Sequence, residues 1–317
     1  MFIILFWIFI FVISLATIIK AADYFTDSAE KLGELLNMSS FIIGITIVAI
    51  GTSLPELAVS IVAVIQKTTE IVPANVIGSN LFNVLMIIGI GSIITARIKI
   101  KRDFSVAMVF LSTFYLLYVF IDGKFTFFEA LIGLFGYLIY IFFASELRDR
   151  GVFNMQRWFH RPQLPNWQSH STRLIFNLFI SIIFIYLGAK FTVDSLIELA
   201  DLLNIGASVI AVTAVAIGTS LPELGVVFAT LKRKNYELIV GNVVGSNIFN
   251  AFVVLAVPGL ISTINIDRPI FNIGLPFLLV ATLLYVVFAA THKNLSRWTG
   301  VLFVLVYVIT AIKLYIQ

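Results

Sequence analysis

The sequence predicts an all-α integral membrane protein of ten transmembrane helices, arranged as two inverted-topology repeats of five helices. Three observations predict it: a composition too apolar for a soluble particle, ten apolar stretches long enough to span a bilayer, and a long segment that recurs in the chain without a gap. Of 317 residues, 60% are hydrophobic and 12% charged, and the mean hydropathy is +1.04. Soluble domains run about 45–50% apolar and about 25% charged, so this chain has too little polar surface to cover itself in water. Soluble enzymes and nucleic-acid binders are excluded, and the net charge of +4 reflects the placement of loops about a membrane. The absence of cysteine excludes disulfides, thiolate metal sites and Cys nucleophiles. His160, His170 and His292 all fall in polar connections, away from any membrane site.

A spanning helix needs about 20 mostly apolar residues. In chain order the spans are expected at 2–20, 40–65, 71–95, 104–121, 126–145, 173–193, 206–231, 238–263, 270–291 and 298–316. The first is read as a retained helix, not a cleaved signal, because its first charge, Lys20, follows the apolar run. The long polar break at 146–172, with Pro162, Pro165 and Trp167, divides the chain into halves 1–145 and 173–317. Loops at alternate ends of the spans carry 16 and 5 of the 21 Lys and Arg residues. The richer side is expected to be cytoplasmic. That places the 146–172 loop in the cytoplasm and both termini outside the cell membrane.

Shifted by 167 positions, Asp27–Asn83 aligns with Asp194–Asn250 with 28 identities in 57 positions. GTSLPEL at 51–57 recurs at 218–224, and Asn75, Gly78-Ser79-Asn80, Phe82 and Asn83 recur as Asn242, Gly245-Ser246-Asn247, Phe249 and Asn250. Apolar composition alone would not keep Asn, Ser and Glu in register. With five spans per half, the second copy enters the membrane from the opposite side. Secondary transporters use this architecture, with ion sites near the midplane at interrupted helices.

GTSLPEL falls in the middle of spans 2 and 7. Pro55 and Pro222 lack an N–H and clash with the carbonyl four residues back, so each helix is expected to kink and free carbonyls near Gly51-Thr52 and Gly218-Thr219. A freed carbonyl in hydrocarbon needs a partner, and a cation can be one. Glu56 and Glu223 follow the prolines, and a midplane carboxylate marks function by default. Thr52, Ser53, Thr219 and Ser220 add hydroxyls. Asn75, Ser79 and Asn83 are spaced four apart and share a helix face, as do Asn242, Ser246 and Asn250. Gly78 and Gly245 between them permit close helix approach. For Asn75 and Asn242, near span ends, helix–helix hydrogen bonding and ion binding are equally open. The donor set is all oxygen, which selects a hard cation. Two carboxylates match one Ca²⁺ in charge, the same oxygens suit Na⁺, and protons could compete for the carboxylates.

These residues resemble the sodium/calcium exchanger family of the cation/Ca²⁺ antiporter superfamily. GTSLPE in both halves, followed by Asn75-Val-Ile-Gly-Ser-Asn80 and Gly241-Asn-Val-Val-Gly-Ser-Asn247, is similar to that family's two α-repeats, here 40–95 and 206–263. The short 146–172 loop resembles the compact prokaryotic members. The resemblance implies Na⁺/Ca²⁺ antiport by alternating access, with three Na⁺ per Ca²⁺ and hence electrogenic, through a diamond of four midplane cation sites. It implies Glu56 and Glu223 as central shared ligands, with Thr52 and Thr219 liganding through carbonyl and hydroxyl. Ala49 and Ala216 carbonyls would serve outer Na⁺ sites completed by Ser79 and Ser246. Asn83 and Asn250 would flank the centre, with Ser53 and Ser220 as weaker additions. Spans 1 and 6 resemble the paired gating helices. Many members carry Asp where Asn250 stands, so potassium dependence is not implied. No cofactor, enzymatic activity or obligatory protein partner is expected beyond the bilayer and the transported ions.

A H⁺/Ca²⁺ antiporter on the same fold is the alternative, because a proton needs only the carboxylates. A cation channel fits less well with occluded midplane ligands, and an intramembrane enzyme would need a nucleophile that the sequence does not offer. Asp23, Asp27, Glu30, Glu34, Asp194, Glu198 and Asp201, near span ends, are read as solvated helix ends, with drawing cations into the entry paths as the alternative.

Overall fold

The computed structural model describes residues 2–35, 49–95, 97–99, 104–148, 170–232, 237–291 and 294–316. Its helices are α1 (Phe2–Leu35), α2 (Ala49–Thr52 and Leu54–Ile65), α3 (Ile71–Thr95), α4 (Phe104–Val119) and α5 (Phe127–Arg148). The second half has α6 (His170–Leu203), α7 (207–232, broken at Ser220), α8 (237–259), α9 (Ile270–Thr291) and α10 (Arg297–Tyr315). Among the described residues, seven helices are long and apolar enough to cross a membrane: α1, α3 and α6 to α10. Leu54–Ile65, Val106–Val119 and Phe127–Phe143 are shorter apolar helices.

The two long helices outrun their expected spans. α1 continues from the 2–20 stretch to Leu35, and α6 from 173–193 to Leu203. Charge ends an apolar run but not a helix: Lys, Glu and Asp are tolerated in helices, and neither extension contains proline. The acidic residues expected at helix ends therefore ride on continuous helices. Asp194 already has a partner, its Oδ1 accepting from Gln66 Nε2 at 2.7 Å.

Two departures from regular helix were not predicted. π-helical turns occur at Phe82–Ile87 in α3, Ala211–Val215 in α7, Asn250–Val254 in α8 and Ile270–Gly274 in α9. Such turns insert one residue into the helical repeat and cluster at functional sites. Four short strands also interrupt the all-α expectation. β1 (Arg97–Lys99) pairs antiparallel with β4 (Asn294–Ser296), and β2 (Lys124–Phe125) with β3 (Ile264–Asn265). Each ribbon ties a connection in one half to one in the other.

α3 and α8 form the buried centre, whereas α1 and α6 expose most of their length. Exposed faces are strongly apolar, with Phe2, Phe128, Phe135, Phe176 and Phe179 all more than 60% accessible. A contiguous apolar surface of this kind belongs against lipid. The halves exchange packing. α4 and α5 lie against α8, with Tyr115 and Tyr137 rings against Phe252 and Phe249. α10 lies against α3, with Tyr307 edge-on to Phe82. α1 and α6 pack along each other. Gly188 sits against Ile18 and the Ser14 carbonyl, and Thr192 Oγ1 donates to Ser14 Oγ at 2.8 Å.

Gly78 permits the close approach of α3 to α7, since a Cβ there would meet the Val212 carbonyl oxygen and lie 2.6 Å from Ala216 Cβ. At Gly245 no described residue comes within 4 Å of that position. Its repeat counterparts of Val212 and Ala216 are Ile45, outside the described residues, and Ala49. Gly78→Ala is expected to lower stability by about 1–3 kcal/mol, as overpacking does, read as a lower melting temperature in detergent.

Candidate functional site

The site starts from the two prolines. Pro55 and Pro222 remove the N–H that the Gly51 and Gly218 carbonyls would accept from four residues on, and the helices break one residue before the leucine preceding each proline. Ser53 has φ −96° and ψ 11°, and Ser220 φ −85° and ψ 10°. The chain restarts as 12-residue helices at Leu54 and Leu221, whose first turns carry Glu56 and Glu223. A helix N-terminus favours a negative charge, so the break and the carboxylate support each other. Both glutamates are fully buried, which in an apolar interior is costly without partners.

Their partners come from across the repeat. Ser220 Oγ donates to Glu56 Oε1 at 3.0 Å, and Ser53 Oγ donates to Glu223 Oε1 at 3.3 Å. Ser246 Oγ also donates to Glu223 Oε1, at 3.3 Å. Thr219 and Ser79 are buried as well, and the Ser79 hydroxyl has no hydrogen-bond partner among the described residues. Among the described residues no group of three or more His, Cys, Asp and Glu could hold a metal. The donor set is two carboxylates with neutral oxygens, suited to hard cations.

Glu56, Glu223, Ser53, Ser220, Ser79, Ser246, Asn83, Asn250, Thr219 and Ala216 are all buried. Thr52 is half-buried at the end of its short helix, and Ala49 begins that helix. The Ala216 carbonyl is engaged within α7, accepting from the Ser220 N–H at 3.1 Å and Thr219 Oγ1 at 3.4 Å. Among the buried oxygens with no hydrogen-bond partner in the described residues are Glu56 Oε2, Glu223 Oε2, Asn83 Oδ1 and Asn250 Oδ1, as well as Asn75 Oδ1 and Ser79 Oγ. Buried polar atoms are almost always satisfied. Orphaned carboxylate and amide oxygens on these residues mark a place that a cation can fill.

Sequence reading did not single out Asn80 and Asn247. Asn80 Nδ2 donates to the Asn247 carbonyl and Asn247 Nδ2 to the Asn80 carbonyl, both at 3.2 Å. Asn83 Nδ2 donates to Asn247 Oδ1 at 3.0 Å, and Asn250 Nδ2 to Asn80 Oδ1 at 3.2 Å. Their recurrence within GSN was the available signal, but it does not say that they meet each other. Asn75 serves helix pairing: its Nδ2 donates to the Glu56 carbonyl at 3.1 Å and Ser60 Oγ at 3.2 Å. Val227 stands at the position equivalent to Ser60, and Asn242 Nδ2 has no partner among the described residues.

The profile of the family described as sodium/calcium exchanger protein matches residues 6–145 and 173–315. The chain is 32% identical to the sodium/calcium exchanger MaX1 of Methanosarcina acetivorans, with 96% of this chain and 97% of that protein covered. Among solved structures it resembles the sodium-calcium exchanger NCX_Mj soaked with 2.5 mM Na⁺ and 10 mM Sr²⁺, with a TM-score of 0.63 and 29% identity. That match covers 96% of this chain and 98% of the other. The same exchanger soaked with zero Na⁺ and Ca²⁺ gives a TM-score of 0.61 and 30% identity, over 98% of each chain.

The two equivalent asparagines should differ in weight. Asn75→Leu strips a donor from the Glu56 carbonyl and is expected to cost about 1–3 kcal/mol, whereas Asn242→Leu should cost less than about 1 kcal/mol. Thermal unfolding of the two variants beside the wild type measures both.

Proposed function

The chain belongs to the sodium/calcium exchanger protein family, and from that premise we propose that it is a secondary antiporter exchanging Na⁺ for Ca²⁺ across the plasma membrane by alternating access. The observation that carries the proposal is the set of orphaned oxygens on Glu56, Glu223, Asn83 and Asn250, buried with no donor among the described residues. Ca²⁺ takes six to eight oxygens in flexible geometry, and its charge balances the two carboxylates. Glu56 and Glu223 are the central ligands. Asn83 and Asn250 flank them, and Thr52, Thr219, Ser79 and Ser246 supply hydroxyl or carbonyl oxygens. Ala49 and Ala216 supply carbonyls to outer Na⁺ sites, and Ser53 and Ser220 contribute through the carboxylates they touch.

Exchange follows from competition for these oxygens. With three Na⁺ replacing one Ca²⁺, the cargo differs by one positive charge and each cycle is electrogenic. Ten spans form two inverted repeats, 1–145 and 173–317, with 146–172 cytoplasmic and both termini outside. The reciprocal Ser53–Glu223 and Ser220–Glu56 bonds and the crossed ribbons favour a pseudo-twofold relation between the halves. α1 and α6 lean mainly on each other, which favours their moving as a pair to open the site to alternate sides.

Proteoliposome uptake of ⁴⁵Ca²⁺ tests the proposal. An outward Na⁺ gradient should drive uptake that responds to membrane potential, and Glu56→Gln or Glu223→Gln should reduce it at least about a hundredfold, as loss of a buried charged partner does. Uptake driven only by an outward proton gradient, and indifferent to potential, would make the chain a H⁺/Ca²⁺ antiporter.

A further inference from the structure

We propose that Asn80 and Asn247 are positioning residues that set the amide orientation of Asn83 and Asn250, so that each of these presents an oxygen to the cation. The inference rests on the cation-binding reading and goes beyond it to residues outside the ligand set. A backbone carbonyl can only accept a hydrogen bond. The Asn80 amide lies 3.2 Å from the Asn247 carbonyl, so its NH₂ end must face that carbonyl. Its Oδ1 is then turned the other way, where it accepts from Asn250 Nδ2 at 3.2 Å. With its NH₂ end held there, the Asn250 Oδ1 faces the other way, and that oxygen is buried with no donor among the described residues.

The reciprocal chain runs from the Asn80 carbonyl through Asn247 to Asn83, with bonds of 3.2 and 3.0 Å, and leaves Asn83 Oδ1 in the same condition. The wiring is crossed: Asn80 governs Asn250, not Asn83, its neighbour on α3. The π-helical turns begin beside these residues, at Phe82 and Asn250.

The clasp prevents a competing arrangement. An asparagine near a buried carboxylate gains a charge-assisted hydrogen bond by turning its NH₂ toward it. Such a turn would consume a carboxylate oxygen and replace a ligand oxygen with a donor that repels cations. Groups that orient metal ligands affect affinity by about 10–100-fold. This clasp does so with uncharged groups, and so adds no carboxylate to the two that set the charge of the site.

The test is a pair of double-mutant cycles read by the Ca²⁺-induced rise in melting temperature and by the Ca²⁺ KM of exchange. Asn80→Leu keeps the Asn80 carbonyl and therefore the Asn247 half of the clasp. It should weaken Ca²⁺ about tenfold, and Asn250→Leu at least as much. The Asn80→Leu, Asn250→Leu double variant should be no weaker than Asn250→Leu alone, whereas Asn80→Leu with Asn83→Leu should multiply the single effects. A merely structural Asn80 would multiply with both, and that result overturns the clasp. Alanine at the same positions repeats the cycles should a leucine variant fail to fold. Absence of any Ca²⁺ effect on the wild type would overturn the functional reading itself, and the clasp with it.

Discussion

Two carboxylates buried without a counter-charge among the described residues set the terms for the rest of this structure. Glu56 and Glu223 are fully inaccessible, each bonded to a serine of the other copy. An apolar surround would make that arrangement untenable. The chain answers with helix N-termini behind each carboxylate, serines from the opposite copy bonded to it, and buried amide oxygens without donors among the described residues. None of these brings a full positive charge. The site is left short of one, and the proposed cargo supplies it.

The repeat makes the site a shared object. Each glutamate takes a hydroxyl from the other copy's broken helix, and each GSN asparagine bonds the other copy's backbone. Neither half alone could complete the centre. Where the copies have diverged, the geometry diverges too. Ser60 gives Asn75 a partner on α2, while Val227 withholds the equivalent hydroxyl from Asn242. Among the residues that stay identical, Ser53, Ser220, Glu56, Glu223, Asn80 and Asn247 bond across the two copies.

Packing separates a rigid centre from a peripheral pair. α3 and α8 are buried on nearly all sides, and aromatic contacts from α4, α5 and α10 hold them. α1 and α6 instead meet each other through small residues, with Gly188 against the Ser14 carbonyl and Thr192 bonded to Ser14. Small-residue contacts give close approach between helices in lipid. A rigid ligand cage with a separable pair of helices beside it suits the proposed alternating access.

The sequence by itself determined the membrane class, the approximate position of each apolar helix, the breaks at Pro55 and Pro222, and the buried glutamates. These follow from local chemistry: hydropathy, proline's missing N–H, and the cost of a carboxylate in hydrocarbon. The 28 shared residues also announced a duplication. The tertiary structure decided what a one-dimensional pattern does not contain. It extended α1 and α6 beyond their apolar runs, inserted π-helical turns at Phe82 and Asn250, and crossed the partners so that Ser53 serves Glu223 and Asn80 serves Asn250. Periodicity assigns a residue to a face of its own helix. Which face of which other helix it meets depends on how two copies pack, and a hydrogen bond spanning about half the chain leaves no trace in the spacing of either partner.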